Sequence, residues 1–225
     1  MPDVSAAPQT DNPLSAYTTL RLGGPAGTLT VATETDQAVA TVRKATADGR
    51  PVLVLAGGSN VVIGDAGFAG PVLLLRTRGI RLVEEPSARS GAAAGGLDGT
   101  PGNSVLLRVA AGEPWDDFVE YAVTSGYSGV ECLSGIPGSA GATPIQNVGA
   151  YGQEVAHTIA AVHVYDRDRD TVRVMSPADC GFAYRTSVFK HNDRYLVLEV
   201  DFRLGVAPDS APIRYAELAR TLGIE

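Results

Sequence analysis

Long apolar runs, clustered basic residues and patterned cysteines are all missing from this chain. No stretch approaches the ~20 apolar residues of a membrane-spanning helix. Lys and Arg total 18 against 25 Asp and Glu, a net charge of −7, so a nucleic-acid or anionic-membrane surface is not expected. The two cysteines, Cys132 and Cys180, fall in no metal or redox spacing and read as reduced thiols. The start, Met1-Pro2-Asp3-Val4-Ser5, has neither the basic segment nor the apolar core of a signal peptide, so a cytoplasmic protein is expected. His157, His163 and His191 are scattered, and no metal-ligand pattern joins them. His163 lies in a strand pattern and reads as packed. Ser187 has no His and Asp arrangement near it, so no nucleophile is argued.

The composition is that of a globular protein: 225 residues, 44% hydrophobic and 19% charged, enough for one large domain or two small ones. Residues 1 to about 16 read as a mobile tail. Leu20 to Val31 suggests a short strand, a turn at Gly23-Gly24-Pro25 and a second strand over 27–32. Thr35 is placed as the N-cap of a helix with Ala38, Val39, Val42 and Ala45 on one face, ended by Gly49 and Pro51. Further strands are expected at 52–55, 71–75, 80–84, 104–110, 159–165, 171–175 and 195–204. Trp115, Phe118, Val119, Ala122 and Val123 share a helical face, which makes the lone Trp a core residue. Residues 87–103 form a low-complexity insert, 166–170 a charged turn, 206–211 a linker, and 213–222 a helix.

Two loops stand apart from this framework. Ala56-Gly57-Gly58-Ser59-Asn60 follows an apolar run. It matches neither a dinucleotide fingerprint nor a phosphate-binding P-loop, and it fits either a tight turn or a nest of backbone N–H groups for phosphate. Ser134 to Gly152 is more specific: prolines stiffen it, glycines allow close approach, and Gln146 and Asn147 add donors and acceptors. It reads as a loop made to be touched by a large polar ligand such as a nucleotide cofactor. The segment Phe182 to Lys190 brings Tyr184, Arg185 and Lys190 together. Arg185 suits a developing oxyanion in a cavity, or a surface ion pair beside a strand.

These segments together resemble the UDP-N-acetylenolpyruvoylglucosamine reductase family, also called UDP-N-acetylmuramate dehydrogenases, of peptidoglycan synthesis. The resemblance runs from Ala16-Tyr17-Thr18-Thr19-Leu20-Arg21-Leu22-Gly23-Gly24-Pro25 through both loops to Tyr184-Arg185-Thr186-Ser187-Val188-Phe189-Lys190. It implies an α+β, FAD-binding fold of the vanillyl-alcohol-oxidase/PCMH type with two α+β subdomains and the flavin between them. The implied layout is a disordered tail at 1–15, FAD-binding subdomains at 16–86 and 104–205, a flexible loop at 87–103, and the start of a C-terminal substrate domain at 206–225. It implies FAD as cofactor, NADPH as hydride donor and a UDP-sugar enolpyruvyl ether as substrate, with no nucleic-acid or membrane partner.

Carried onto this chain, Ala56, Gly57, Gly58, Ser59, Asn60 and Val61 would line the cofactor. So would Gly135, Ile136, Pro137, Gly138, Gly141, Ala142, Thr143, Ile145, Gln146, Asn147, Gly149, Ala150 and Tyr151. Arg185 would be catalytic, polarising the substrate carboxylate, with Tyr184 and Lys190 beside the substrate. The serine and glutamate that protonate the family's intermediate lie in a C-terminal part for which this chain has no matching segment. A truncated chain with poor turnover on its own is therefore expected, and that domain, supplied elsewhere, would be its partner. The competing readings are a non-catalytic flavin-binding module and another flavin oxidoreductase of the same fold.

Overall fold

The computed structural model describes residues 12–83, 104–206 and 215–223. The chain divides into two compact units after Thr77. In the first, β1 (Ala26–Ala32), α1 (Thr35–Ala47), β2 (Leu53–Leu55) and β3 (Phe68–Leu75) form a parallel sheet in the order β1-β3-β2. The central strand β3 is buried over its last six residues, as expected of a parallel strand flanked on both sides. Ala38, Val39, Val42 and Ala45 of α1 are its buried residues, matching the sequence periodicity. Glu34, not Thr35, precedes the helix, and neither caps it with a side chain. The N–H of Asp48 bonds back to the Lys44 carbonyl, and that of Gly49 to the Thr46 carbonyl, closing the C-terminus.

The expected tail and first strand are both revised. Leu14 opens a short 3₁₀ turn over Leu14–Tyr17 and is fully buried with Leu55, Ile63, Val72 and Leu74. The N–H groups of Leu14 and Ser15 donate to the carbonyls of Gly24 and Gly23. That pairing uses the segment's acceptors, so Leu20 and Leu22 belong to no strand and stand exposed. The remaining tail, 1–11, and the insert 87–103 lie outside the described residues.

In the second unit, β4 (Ile80–Leu82), β5 (Ser104–Ala110), β9 (Ile159–Asp166), β10 (Thr171–Met175) and β11 (Tyr195–Val206) form an antiparallel sheet in the order β10-β9-β11-β5-β4. β6 (Tyr127–Ser128) pairs with the end of β11, and β7 (Gly149–Ala150) pairs with β8 (Gln153–Glu154) as a separate hairpin. The helices are α2 (Trp115–Thr124), the single turn α3 (Pro177–Cys180) and α4 (Ala216–Leu222). β4 was expected with the first subdomain. Its pairing of Ile80 with Val109 puts it in the second unit's sheet instead. Residues 207–214 of the expected linker and final helix also lie outside the described residues.

Trp115, Phe118 and Phe202 form an aromatic core with ring centroids 4.9–5.7 Å apart, so the lone Trp is a core residue. Val123 is half exposed, contrary to expectation. At 3.6 residues per turn it lies about 80° round the helix from Trp115, whereas Ala122 lies within about 20°. The Trp115 indole N–H donates to the Leu133 carbonyl at 2.9 Å. Trp115→Phe keeps the ring stack but strands that buried carbonyl. We expect a loss of about 1–3 kcal/mol in urea unfolding, and an unchanged midpoint would show that water replaces the indole.

Candidate functional site

Within the first unit, the loop after β2 is held from both sides. The Ala56 carbonyl accepts from Arg76 Nη1 at 2.7 Å, and the Gly58 carbonyl accepts from the Thr19 N–H at 3.0 Å. Gly58 has φ +64°, and a Cβ there would strike the Tyr17 carbonyl oxygen, so only glycine fits. Among the described residues, no hydrogen bond uses the N–H groups of Gly57, Gly58, Ser59 or Asn60. Successive unpaired N–H groups of this kind suit an anionic oxygen. Val61 faces the other way, packed on the Leu14 cluster.

In the second unit, the long glycine loop begins at a clamp. Asp116, in the first turn of α2, accepts from the Ser134 hydroxyl at 3.0 Å and the Gly135 N–H at 2.7 Å. Gly138 and Ala140 are tied back to Trp115 and Glu113, and the Gly141 N–H donates to the Ala111 carbonyl. The loop is thus laid along the β5–α2 connection. Its far end is the β7–β8 hairpin, where Tyr151 and Gly152 both have positive φ (49° and 85°), as a type I′ turn requires.

Residues 183–186 make a tight turn in which Ala183 and Thr186 exchange N–H···O bonds at 3.1 Å. Arg185 occupies it with φ +52°, and its guanidinium reaches back to the glycine loop. Nη1 donates to the Asn147 carbonyl at 3.1 Å and Nη2 to the Gly149 carbonyl at 2.5 Å. Lys190 Nζ donates to the Arg185 carbonyl at 2.9 Å. The Ser187 hydroxyl donates to the Ile145 carbonyl at 2.7 Å, which makes Ser187 a strut between the two segments. Tyr184 is 81% exposed and lies against the Arg185 guanidinium, 5.2 Å from ring centroid to Cζ. Among the described residues, no carboxylate comes within ion-pair distance of Arg185 or Lys190. Two half-buried cations without counter-ions are suited to an anionic ligand.

The expected residues therefore divide by what their groups already do. Thr143 and Asn147 are buried, and their side chains are spent inside the loop. Gly135, Ile136 and Gly141 have their N–H groups in use, and Ala150 pairs with Gln153 across the hairpin. Pro137 and Ile145 are exposed, Gly138 and Ala142 half-buried. The Gln146 amide has no partner among the described residues, and the Tyr151 ring meets only Tyr215, edge-on at 5.7 Å. Sequence reasoning passed over Asp116, Glu154 and Ser139. The Ser139 hydroxyl is buried in the loop with no hydrogen-bond partner, and no local spacing signals any of the three. Both cysteines are free thiols. Burial and the neighbouring Asp179 push the Cys180 thiol up to about 12, and burial and Glu131 raise that of Cys132.

An α+β chain with one loop of unpaired N–H groups and another beside an uncompensated cation pair is a protein of the nucleotide-cofactor-binding class. It belongs to the FAD binding domain family, which matches residues 26–175. Over 217 residues it is 55% identical to the UDP-N-acetylenolpyruvoylglucosamine reductase of Salinispora arenicola, covering 96% of this chain and 56% of that protein. In structure it is similar to the UDP-N-acetylenolpyruvylglucosamine reductase of Thermus caldophilus, with TM-score 0.64, 27% identity, and coverage of 93% and 67% of the two chains. A VAO-type flavoprotein of Myceliophthora thermophila shares the fold, with TM-score 0.52, 15% identity, and coverage of 79% and 31%. The fold is thus the FAD-binding α+β fold of the vanillyl-alcohol-oxidase type. The chain spans about half the length of the curated relatives it matches.

Proposed function

We propose that this chain is the FAD-binding part of an oxidoreductase that reduces UDP-N-acetylglucosamine enolpyruvate to UDP-N-acetylmuramate for peptidoglycan. NADPH is the hydride donor and the cytoplasm the site of action. FAD fits the donor set present. The unpaired N–H groups of residues 57–60 suit its pyrophosphate, and the free Gln146 amide suits a polar ring edge. When bound, FAD would supply the hydride. The chain's own residues would bind, orient and hold charge. The observation that carries the reading is Arg185. Its guanidinium is oriented by two carbonyls, its charge is uncompensated, and it sits at the glycine loop. Reduction of an enol ether conjugated to a carboxylate builds negative charge on that carboxylate, and a fixed guanidinium beside it lowers the barrier. Lys190 and the exposed Tyr184 ring would contact the rest of the anionic substrate.

The test is a titration of the FAD-loaded chain with the enolpyruvyl UDP-sugar, followed by the flavin absorbance. Arg185→Ala should retain FAD and weaken the substrate response by about 10²–10³-fold, the range for a lost charge-stabilising donor. Loss of FAD instead would make Arg185 a cofactor-holding residue. An unchanged response would overturn the reading and favour a flavin-binding module without this substrate. Among the described residues, no helix is long and apolar enough to cross a membrane.

A further inference from the structure

We propose that Asn147 is a positioning residue: its side-chain amide ties the turn bearing Arg185 to the glycine loop, so that the guanidinium is aimed before ligand arrives. The inference rests on the reading of Arg185 given above. It assigns Asn147 a role different from contact with cofactor through its side chain, which is 1% exposed.

The geometry is a closed ring. Asn147 Nδ2 donates to the Ala183 carbonyl at 3.1 Å and to Glu154 Oε2 at 2.8 Å, while Oδ1 accepts from the Ala156 N–H at 3.1 Å. Ala183 is the first residue of the tight turn. Two residues on, Arg185 sends Nη1 back to the main-chain carbonyl of Asn147 itself. One residue therefore grips the turn at its start with a side chain and at its tip with a carbonyl. Both Asn147 (φ +46°) and Arg185 (φ +52°) are in the left-handed region, which is disfavoured for side-chain-bearing residues and persists where surrounding contacts over-determine it.

Asparagine meets all these demands at once. It tolerates a left-handed backbone better than most residues, and it offers two donors and an acceptor. Glycine would accept the backbone and supply none of the three bonds. Aspartate would keep the acceptor, lose both donors and set a second carboxylate against Glu154. The Ala183 bond spans 36 positions of sequence and the Glu154 bond seven. The first aims Arg185, and the second holds the loop to its own hairpin.

That division of labour makes the test. Asn147→Asp should lower the thermal midpoint, speed amide exchange at Thr186 in the cofactor-free chain by about tenfold, and weaken the enolpyruvyl UDP-sugar by about 10²-fold. FAD affinity should change little. In the double variant Asn147→Asp with Glu154→Gln, the introduced amide can donate to the introduced carboxylate, which removes the repulsion and restores the hairpin link. It leaves the Ala183 carbonyl without its donor. We expect the double variant to regain the thermal midpoint but neither the slow Thr186 exchange nor the substrate affinity. Recovery of all three would show that Asn147 only stabilises its hairpin, and the proposal falls. Asn147→Gly, whose backbone is comfortable at this φ, should show the same fast Thr186 exchange; wild-type exchange there would overturn the proposal as well. Arg185→Ala run in parallel separates the two ideas. If it leaves the substrate response intact, the functional reading fails. If it abolishes the response and the Asn147 variants do not, this inference alone fails.

Discussion

Asp201→Ala is expected to destabilise the second unit by about 3–5 kcal/mol, the usual cost of stripping one partner from a buried ion cluster. Asp201 is 4% exposed on β11. Its oxygens accept from Arg108 Nε at 2.6 Å and Nη2 at 2.8 Å, and Oδ2 lies 3.0 Å from His163 Nε2. Removing the carboxylate leaves a largely buried guanidinium with only Glu199, 4.0 Å away, as partner. Burial pushes the Asp201 carboxyl up, but the hydrogen bonds from His163 and Arg108 outweigh it and hold the group below its ordinary value. The sign of the pH dependence follows. A carboxyl whose folded value lies below its unfolded one stabilises fully above about pH 4 and loses that contribution as pH falls through the folded value. Urea midpoints from pH 7 down to pH 3 should therefore fall for the wild type and stay flatter for Asp201→Ala. Equal midpoints at pH 7 would show that Glu199 takes over the pairing.

Gly149→Ala is expected to lower affinity for the enolpyruvyl UDP-sugar by about 10²-fold, the scale of a 1 Å misplacement at a reacting centre. The backbone of Gly149 is not left-handed, so conformation alone does not call for glycine. Space does. An added Cβ would sit 2.7 Å from Arg185 Nη1, 2.7 Å from the Gln153 carbonyl and 2.9 Å from Glu154 Cγ. The guanidinium ends a flexible side chain and can yield. The Gln153 carbonyl is hairpin backbone and yields poorly. Alanine should therefore drive Arg185 off the two carbonyls that orient it and open the β7–β8 hairpin slightly, with a stability loss of about 1–3 kcal/mol. Calorimetric titration with the UDP-sugar, beside FAD binding by flavin fluorescence, reads both effects. Wild-type substrate affinity in this variant would mean that the Asn147 and Gly149 carbonyls do not set the guanidinium.

The β9–β10 turn shows how far composition misleads about such clusters. Asp166 to Asp170 alternates acid and base and looks like a solvated turn. Yet Asp166 is wholly buried beneath Arg194, which bonds it at 2.8 and 2.7 Å, and Arg173 at 3.2 Å. Hydrogen bonding from Arg194 holds this carboxyl far below the usual carboxylate range. Arg194 lies 28 positions away, and nothing near residue 166 announces it.

What the sequence by itself determined is what depends on neighbours along the chain. The spacing of Ala38, Val39, Val42 and Ala45 made α1 amphipathic, and that of Trp115, Phe118, Val119 and Ala122 did the same for α2. Apolar runs marked the strands, and glycine with proline marked both ligand loops, because backbone freedom and stiffness are properties of single residues. Those loops carried the resemblance to a reductase family. Only the tertiary structure decided which groups in the loops are left over for a ligand. Asn147 and Thr143 looked free and are consumed, Asp116 looked like a helix-surface acid and clamps the loop, and Leu14 looked like tail and is core. Strand β4 went to the second sheet for the same reason. Each outcome is a pairing across many positions of sequence. Such pairings follow from sheet register and from which surfaces pack, and no local pattern of residues contains either.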